Sequence, residues 1–133
     1  MLRLITAALL LAASPALAEG CRPENLRFAP GTSGAVVEGG LVRTEFACYA
    51  LTARAGQRLE ASVTSAENNA VFQIYAPGWR MRDNMAEGPT LPGAGEGEDT
   101  MRFAGTLPAN GRYLVVVGGT RGNTAYRLRV TIK

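Results

Sequence analysis

The sequence predicts an all-β protein: one antiparallel, jelly-roll-like β-sandwich of seven or eight strands, preceded by a signal peptide. Apolar and polar residues alternate with a period of two along most of the chain, which is typical of strands with one buried face. Turns rich in glycine and proline separate these runs at roughly the 8–12-residue spacing of a sandwich. No stretch has the period of an amphipathic helix.

The first residues have the pattern of an export signal. Arg3 gives a positive start, a short apolar run follows, and Ala16–Ala18 supplies the small-x-small pattern of a cleavage site. Residues 1–18 are therefore predicted to be a signal peptide and residues 19–133 one domain, with no membrane span after it. A lipoprotein signal is the alternative because Cys21 lies nearby, but alanine stands where such signals usually have leucine.

Two cysteines, Cys21 and Cys48, are the only ones in the chain. An exported protein meets an oxidising compartment, so we expect them to form a disulfide that ties the amino-terminal arm to an interior strand. A free, reactive thiol is the alternative.

The alternation assigns the strands in chain order. Residues 45–53 and 112–119 are apolar on both faces, as central strands covered on each side are. Turn-forming residues separate the predicted strands at Ala55-Gly56, Pro108–Gly111 and Gly118-Gly119. In the remaining strands the residues expected to point inward are Leu59, Ala61 and Val63; Phe72 and Ile74; Met101, Phe103 and Leu107; and Tyr126, Leu128, Val130 and Ile132.

The alternation of apolar and polar residues stops at residues 77–99, a long segment that is rich in proline and glycine and holds the only tryptophan. Loops of this length are usually functional or mobile. Trp79, Arg80 and Arg82 are of the residue types that dominate binding hot spots, so they are candidate partner contacts. The alternative is that Trp79 folds back over the sandwich beside two solvated arginines.

Several kinds of chemistry are excluded by composition. The chain has no histidine, which excludes Ser-His-Asp and Cys-His catalysis and imidazole zinc sites. Its one lysine is the last residue, Lys133, and no G-x-S-x-G or P-loop pattern occurs. When Arg3 is removed with the signal peptide, 13 of the 14 basic residues remain beside 11 acidic ones. This near-balance of charge argues against nucleic-acid binding, which normally requires a strong basic excess. We expect no cofactor.

Three carboxylates, Glu96, Glu98 and Asp99, end the long segment. A pair of carboxylates can hydrolyse a glycosidic bond, but only when one of them is partly buried and has a raised pKa. Calcium binding is a second use of clustered oxygens, although the spacing is not that of a calcium loop. A solvated acidic run is the interpretation that this glycine-rich context favours.

Thr120 and Arg121 lie in the turn between the last two predicted strands. A rigid strand pair presents such a turn to solvent, and an arginine there can bind a partner's carboxylate through two parallel hydrogen bonds. The alternative is an ordinary charged turn.

Two stretches carry a family resemblance. "VVEGGLVRTEFACYALTARAGQRLEASV" and "GTLPANGRYLVVVGGTRGNTAYRLRVTI" resemble the prepeptidase C-terminal-like β-sandwich, and also its small periplasmic relative, the bacterial inhibitor of g-type lysozyme. The matching residues are mostly scaffold: Gly56-Gln57, Leu107-Pro108, Gly111 and Tyr113. The resemblance covers nearly the whole domain and therefore implies the fold more strongly than the activity.

The resemblance to the inhibitors also implies a mode of action. That family inserts loops into the lysozyme's substrate cleft, which acidic catalytic residues line, and an arginine on its last hairpin belongs to the contact surface; Thr120-Arg121 matches that place. We therefore expect a non-enzymatic periplasmic or secreted protein whose partner is a protein, g-type lysozyme, with Trp79, Arg80 and Arg82 as supporting contacts. The alternative is a prepeptidase-like module that binds glycan or calcium or stabilises an envelope partner.

Overall fold

Ten β-strands make up the regular structure of residues 20–133, the part of the chain that this computed structural model describes. The predicted signal peptide, residues 1–18, lies outside the described residues. Within the described part, no helix has the length and apolar character needed to cross a membrane. The strands are β1 (Pro23–Asn25), β2 (Gly34–Leu41), β3 (Phe46–Ala53), β4 (Arg58–Ser65), β5 (Ala70–Tyr75), β6 (Arg80–Arg82), β7 (Met85–Glu87), β8 (Arg102–Thr106), β9 (Gly111–Gly119) and β10 (Thr124–Ile132).

Two four-stranded sheets form a sandwich, as predicted. The first sheet has the order β1-β3-β9-β5 and the second has the order β2-β10-β4-β8. Neighbouring strands are antiparallel except β1, which pairs with β3 in parallel. The remaining two strands, β6 and β7, form a separate hairpin outside the sandwich.

The main core lies between the two sheets and contains the residues that the alternation predicted to point inward. Tyr113 and Phe72 are its largest fully buried side chains. Met101, Phe103 and Ile132 are only partly buried, but they pack against the same core. The period of two therefore identified the correct face of each of these strands.

A second apolar cluster covers the outer face of the first sheet. It consists of Cys48 and Ala50 of β3 with Leu114 and Val116 of β9, and the side chains packed over it include Trp79, Met81 and Ala86 from the hairpin. This explains why the sequences of β3 and β9 are apolar on both faces: the second sheet buries one face and the hairpin buries the other.

The hairpin is closed by a two-residue turn, Asp83-Asn84, because Arg82 pairs with Met85. Both turn residues have positive φ, 51° and 62°. This is the pattern of a type I′ turn, which matches the twist of the flanking strands and for which Asn and Asp are favoured residues.

The stretch that follows the hairpin protects the edge of β5. The amide of Leu91 donates to the carbonyl of Ile74 (2.9 Å), the amide of Ile74 donates to the carbonyl of Ala94 (3.0 Å), and Leu91 and Ala94 are buried. Residues 77–99 are thus a hairpin followed by an edge-covering stretch and not one long loop, because the free backbone groups of an edge strand favour pairing.

The predicted disulfide between Cys21 and Cys48 is confirmed, with Cα atoms 5.8 Å apart. It joins the amino-terminal arm to β3. The amide of Cys21 also donates to the carbonyl of Asn84 at the hairpin tip (2.9 Å). A Cβ at the preceding Gly20 would overlap the same carbonyl oxygen, so this close approach requires glycine there.

One polar contact joins the two sheets inside the sandwich. The hydroxyl groups of Tyr49, from β3, and Tyr126, from β10, hydrogen-bond to each other, and both side chains are buried. Burial raises the pKa of both hydroxyls, and the nearby Glu24 carboxylate adds to the rise. Both hydroxyls therefore stay neutral above the pH at which an exposed tyrosine ionises.

Reduction of the disulfide should destabilise the fold without changing its architecture. The bond closes a loop with a sequence separation of 27. On the chain-entropy model its loss lowers the free energy of unfolding by about 3.5 kcal/mol. Urea denaturation with and without a thiol reductant measures the difference. The double variant Cys21→Ala, Cys48→Ala is the control and should not respond to reductant; an equal response in that variant would contradict the assignment.

The tyrosine pair should make the fold sensitive to alkali. Because the folded-state pKa of each hydroxyl is raised above the unfolded value of about 10, the stabilisation is complete below pH 10 and is lost as pH rises beyond it. The free energy of unfolding, measured by urea denaturation from about pH 8 to about pH 11.5, should fall more steeply with pH in the wild type than in the double variant Tyr49→Phe, Tyr126→Phe. Parallel profiles would show that the pair does not titrate as described.

Candidate partner-binding site

The turn between β9 and β10 is exposed at its tip and fixed at its base. Thr120 and Arg121 are exposed, whereas Asn69 beneath them is only 2% exposed. The Asn69 Nδ2 group donates to the carbonyls of Arg121 (3.1 Å) and Asn123 (2.9 Å), and its Oδ1 accepts from the hydroxyl of Thr124 (2.7 Å). A buried amide with all these partners holds the turn in one conformation.

The Arg121 side chain lies across the neighbouring turn. Its Nη2 donates to the backbone carbonyl of Glu67 at 2.7 Å. This contact uses one of the five N–H donors of the guanidinium, and it is made to a neutral oxygen. No carboxylate of residues 20–133 forms a salt bridge with Arg121, so its charge remains available to a partner.

A groove separates this turn from the connection between β2 and β3. It has a volume of about 520 Å³ and is lined by residues 42–46 and 119–122, which we call the basic groove. The amide of Arg43 donates to Oδ1 of Asn123 at 3.1 Å, which links its two walls. The groove therefore has walls of fixed spacing, with the exposed side chains of Arg43 and Arg121 at its rim.

One residue that lines the basic groove has a strained backbone. Thr44 has φ of 73°, in the left-handed region that β-branched residues rarely adopt. The carboxylate of Glu45 accepts a hydrogen bond from the amide of Val42 (3.3 Å), which holds this tight connection in place. Strain of this kind occurs often at binding sites, where the surrounding structure maintains it.

Arg43 is the residue of this groove that the sequence did not reveal. It lies 78 positions before Arg121 in the chain. The pairings of Phe46 with Gly118 and of Leu41 with Thr124 bring the β2–β3 connection beside the β9–β10 turn. With two arginines and one carboxylate, Glu45, the side chains around the groove carry a net positive charge.

Trp79 lies at the other end of β9 from Arg121. Its indole Nε1 donates to the carbonyl of Arg112 (2.8 Å), and the Arg112 guanidinium stacks 5.4 Å from its ring. Arg112 is near the start of β9, whose nine residues extend over about 27 Å. The structure therefore does not bring Trp79 and Arg121 into one patch.

The hairpin arginines are exposed on the outside of the molecule. Met81 packs against the first sheet, whereas Arg80 and Arg82 point the other way. Both approach the carboxylate of Glu87, with N–O distances of 3.3 and 3.9 Å. These two candidates form a surface of their own whose charge Glu87 partly neutralises.

The acidic run is solvated. Glu96, Glu98 and Asp99 are all exposed, and the Glu98 carboxylate accepts a hydrogen bond from the amide of Gly95 at 2.6 Å. Within residues 20–133, no group of three or more acidic or cysteine side chains is arranged to hold a metal ion. The three carboxylates thus lack the partial burial that a hydrolytic pair requires.

Solved structures similar to this one share its fold over nearly their full length. PliG of Aeromonas hydrophila, a periplasmic lysozyme inhibitor of g-type lysozyme, is 27% identical with a TM-score of 0.65, over 86% of this chain and 98% of that chain. PliG of Salmonella Typhimurium is 24% identical with a TM-score of 0.61, over 84% and 98%. The pre-peptidase C-terminal domain of Bacillus anthracis collagenase is 12% identical with a TM-score of 0.53, over 86% and 96%.

No protein-family model and no curated protein sequence matches the chain. The resemblance to the g-type lysozyme inhibitors and to the prepeptidase C-terminal-like sandwich is confirmed by these structures. The two structures that are less than 25% identical to this chain, the Salmonella PliG and the collagenase domain, establish the fold alone.

Replacing Asn69 by alanine should loosen the β9–β10 turn and destabilise the protein. Three side-chain hydrogen bonds are lost, and the buried Thr124 hydroxyl loses its acceptor. We expect the free energy of unfolding to fall by roughly 2–4 kcal/mol, measured by urea denaturation. Asn110→Ala is the matched control, because that exposed amide accepts one bond, from Ala55; an equal loss in both variants would contradict the role of Asn69.

Proposed function

We propose that this protein is a non-enzymatic periplasmic inhibitor that binds a g-type lysozyme, with the basic groove and the Arg121 turn placed in the enzyme's acidic cleft. The observation that carries the proposal is the geometry of Arg121: an exposed guanidinium without a salt bridge among residues 20–133, on a turn braced by buried Asn69. The 27% identity to a periplasmic inhibitor of g-type lysozyme supports the choice of partner.

The physical basis is a charge-assisted pair in a cleft that excludes water. A guanidinium and a carboxylate form two parallel hydrogen bonds, which are stronger than neutral ones. Binding requires the turn to be ordered, and the Asn69 bonds order it in the free protein. Less conformational entropy is then lost when the complex forms. Since the Glu67 carbonyl engages one nitrogen, the other donors of Arg121 can meet the carboxylate.

Arg43 adds a second positive charge on the opposite wall of the groove. Charges of one sign around a contact surface mainly speed the association with an oppositely charged partner and disfavour wrong partners. Glu45 is directed to the amide of Val42 within the connection and so opposes this field only in part. Association should therefore be faster at low ionic strength.

A supporting contact from Arg80 and Arg82 is the second part of the proposal. These side chains are exposed on the outer hairpin. Their charge is shared with Glu87, so we expect a smaller contribution than that of Arg121. Trp79 acts through packing, because its ring covers the second cluster and its indole N–H is used by Arg112.

The periplasmic location rests on the predicted signal peptide, residues 1–18, and on the similar inhibitors, which are periplasmic. The disulfide agrees with it, because such bonds persist in oxidising compartments. The alternative, a glycan- or calcium-binding module, has weaker support: the prepeptidase likeness, at 12% identity, extends to the fold alone.

A lysis assay with g-type lysozyme tests the proposal. The wild-type protein should inhibit lysis, and Arg121→Ala should weaken inhibition by about 10- to 100-fold, the worth of one charge-assisted contact. Arg54→Ala is the matched control, since Arg54 is also exposed but lies in the β3–β4 turn at the other end of β9. Arg80→Ala with Arg82→Ala should have an intermediate effect.

Two results would contradict different parts of the proposal. No inhibition by the wild type at a large molar excess would end the lysozyme assignment. Full inhibition by Arg121→Ala would keep the partner but remove Arg121 from the contact. Thermal unfolding of each variant shows whether a loss of inhibition is due to a loss of fold; the Arg121 variant should stay folded because its side chain is exposed.

A further inference from the structure

The outer face of the second sheet is mostly polar and exposed, with Val36 as its one large exposed apolar side chain among residues 20–133. Unlike the first sheet, it has no hairpin packed over it within residues 20–133. Because strands alternate, residues two apart share this face. Its side chains are Val36 and Glu38 of β2; Arg102, Ala104 and Thr106 of β8; Arg58, Glu60, Ser62 and Thr64 of β4; and Ala125, Arg127, Arg129 and Thr131 of β10.

Two of the four arginines on this face are paired with carboxylates. The Nε atom of Arg58 lies 3.1 Å from Oε1 of Glu60 on the same strand. The Nη1 atom of Arg127 lies 3.7 Å from Oε1 of Glu38 on β2. Arg102 and Arg129 have no salt bridge to any of residues 20–133. The face therefore holds two uncompensated positive charges next to two compensated ones.

Ser62 lies directly between the two unpaired arginines. It is the register partner of Arg102 on one side and of Arg129 on the other. Adjacent strands are about 4.8 Å apart, so the two arginine Cα atoms lie roughly 10 Å from each other. Arginine side chains can span half of that distance, so both guanidinium groups can converge above the Ser62 hydroxyl.

A shallow cavity of about 500 Å³ occupies this position. The two arginines and Ser62 line it, together with Glu60 and Thr131. The one carboxylate among its lining residues, Glu60, already has Arg58 as its partner. The cavity therefore combines a net positive charge with hydroxyl donors, which is the chemistry of an oxyanion site.

We propose that Arg102, Ser62 and Arg129 form a binding site for a phosphate group, separate from the basic groove. A carboxylate presents only two oxygens, which lie in one plane and together offer about four acceptor sites. A phosphate group has three or four oxygens in a tetrahedral arrangement and can accept from both guanidinium groups and the hydroxyl at once. Such a group is supplied either by a soluble phosphate or by the phosphodiester of a lipid headgroup.

The test is an NMR titration of the ¹⁵N-labelled protein with inorganic phosphate at constant ionic strength. The Nε–Hε signals of Arg102 and Arg129 should shift together along one saturating curve. Arg102→Gln with Arg129→Gln should weaken binding by roughly tenfold or more, because both charge-assisted contacts are lost. Arg54→Gln with Arg127→Gln removes the same charge at exposed residues that do not line the cavity and should leave the affinity within about twofold.

A second arm identifies the source of the phosphate group. Co-sedimentation with phosphatidylglycerol vesicles that is lost in the Arg102, Arg129 double variant, but kept in the control, identifies a lipid headgroup. Phosphate binding without vesicle binding identifies a soluble ligand, and either result supports the site. Equal weakening by both double variants, or the absence of saturating shifts at Arg102 and Arg129, would overturn it. All four side chains are exposed, so both variants should fold.

Discussion

The fold depends on burying both faces of the two central strands of the first sheet, β3 and β9. Their inner faces pack against the second sheet, and their outer faces carry Cys48, Ala50, Leu114 and Val116. Leaving this outer apolar patch in water would be costly, since each buried aliphatic side chain contributes about 1.5–3 kcal/mol. The β6–β7 hairpin and the disulfide-linked arm cover it. The apparently irregular segment is thus part of the core structure.

Because the hairpin and the amino-terminal arm cover the first sheet, they decide which surfaces remain free to bind a partner. Trp79 and Met81 are used in covering the first sheet, and the stretch after the hairpin pairs with the edge of β5. The free polar surfaces include the groove at the end of the sandwich and the outer face of the second sheet. The groove stands out because a buried amide, Asn69, holds the exposed Arg121 turn in place. Its rigidity and its unpaired charge come from different residues, so they can be separated by mutation.

Local patterns in the sequence predicted the sandwich, the inward faces of four strands and the covalent link between Cys21 and Cys48. They did so because alternation and redox chemistry act over a few residues or depend only on residue type. The hairpin was not predicted, although Asp and Asn, the residues at 83 and 84, are favoured in two-residue hairpin turns. The pairing of Arg43 with Arg121 across one groove could not be predicted, because it depends on strand register between distant segments. Arg121 is a candidate that both its turn and the family resemblance suggest, and its role in binding stays a prediction.

The central claim is that a rigid, disulfide-linked sandwich presents Arg121 to a carboxylate of its partner. A double-mutant cycle tests it most directly: the affinity for g-type lysozyme is measured with Arg121→Ala, with an acidic cleft residue of the enzyme changed to its amide, and with both changes together. The account predicts that the two losses are not additive, with a coupling free energy of about 1.5 kcal/mol or more, as close interfacial charge pairs show. Additive losses for every acidic residue of the cleft would contradict it.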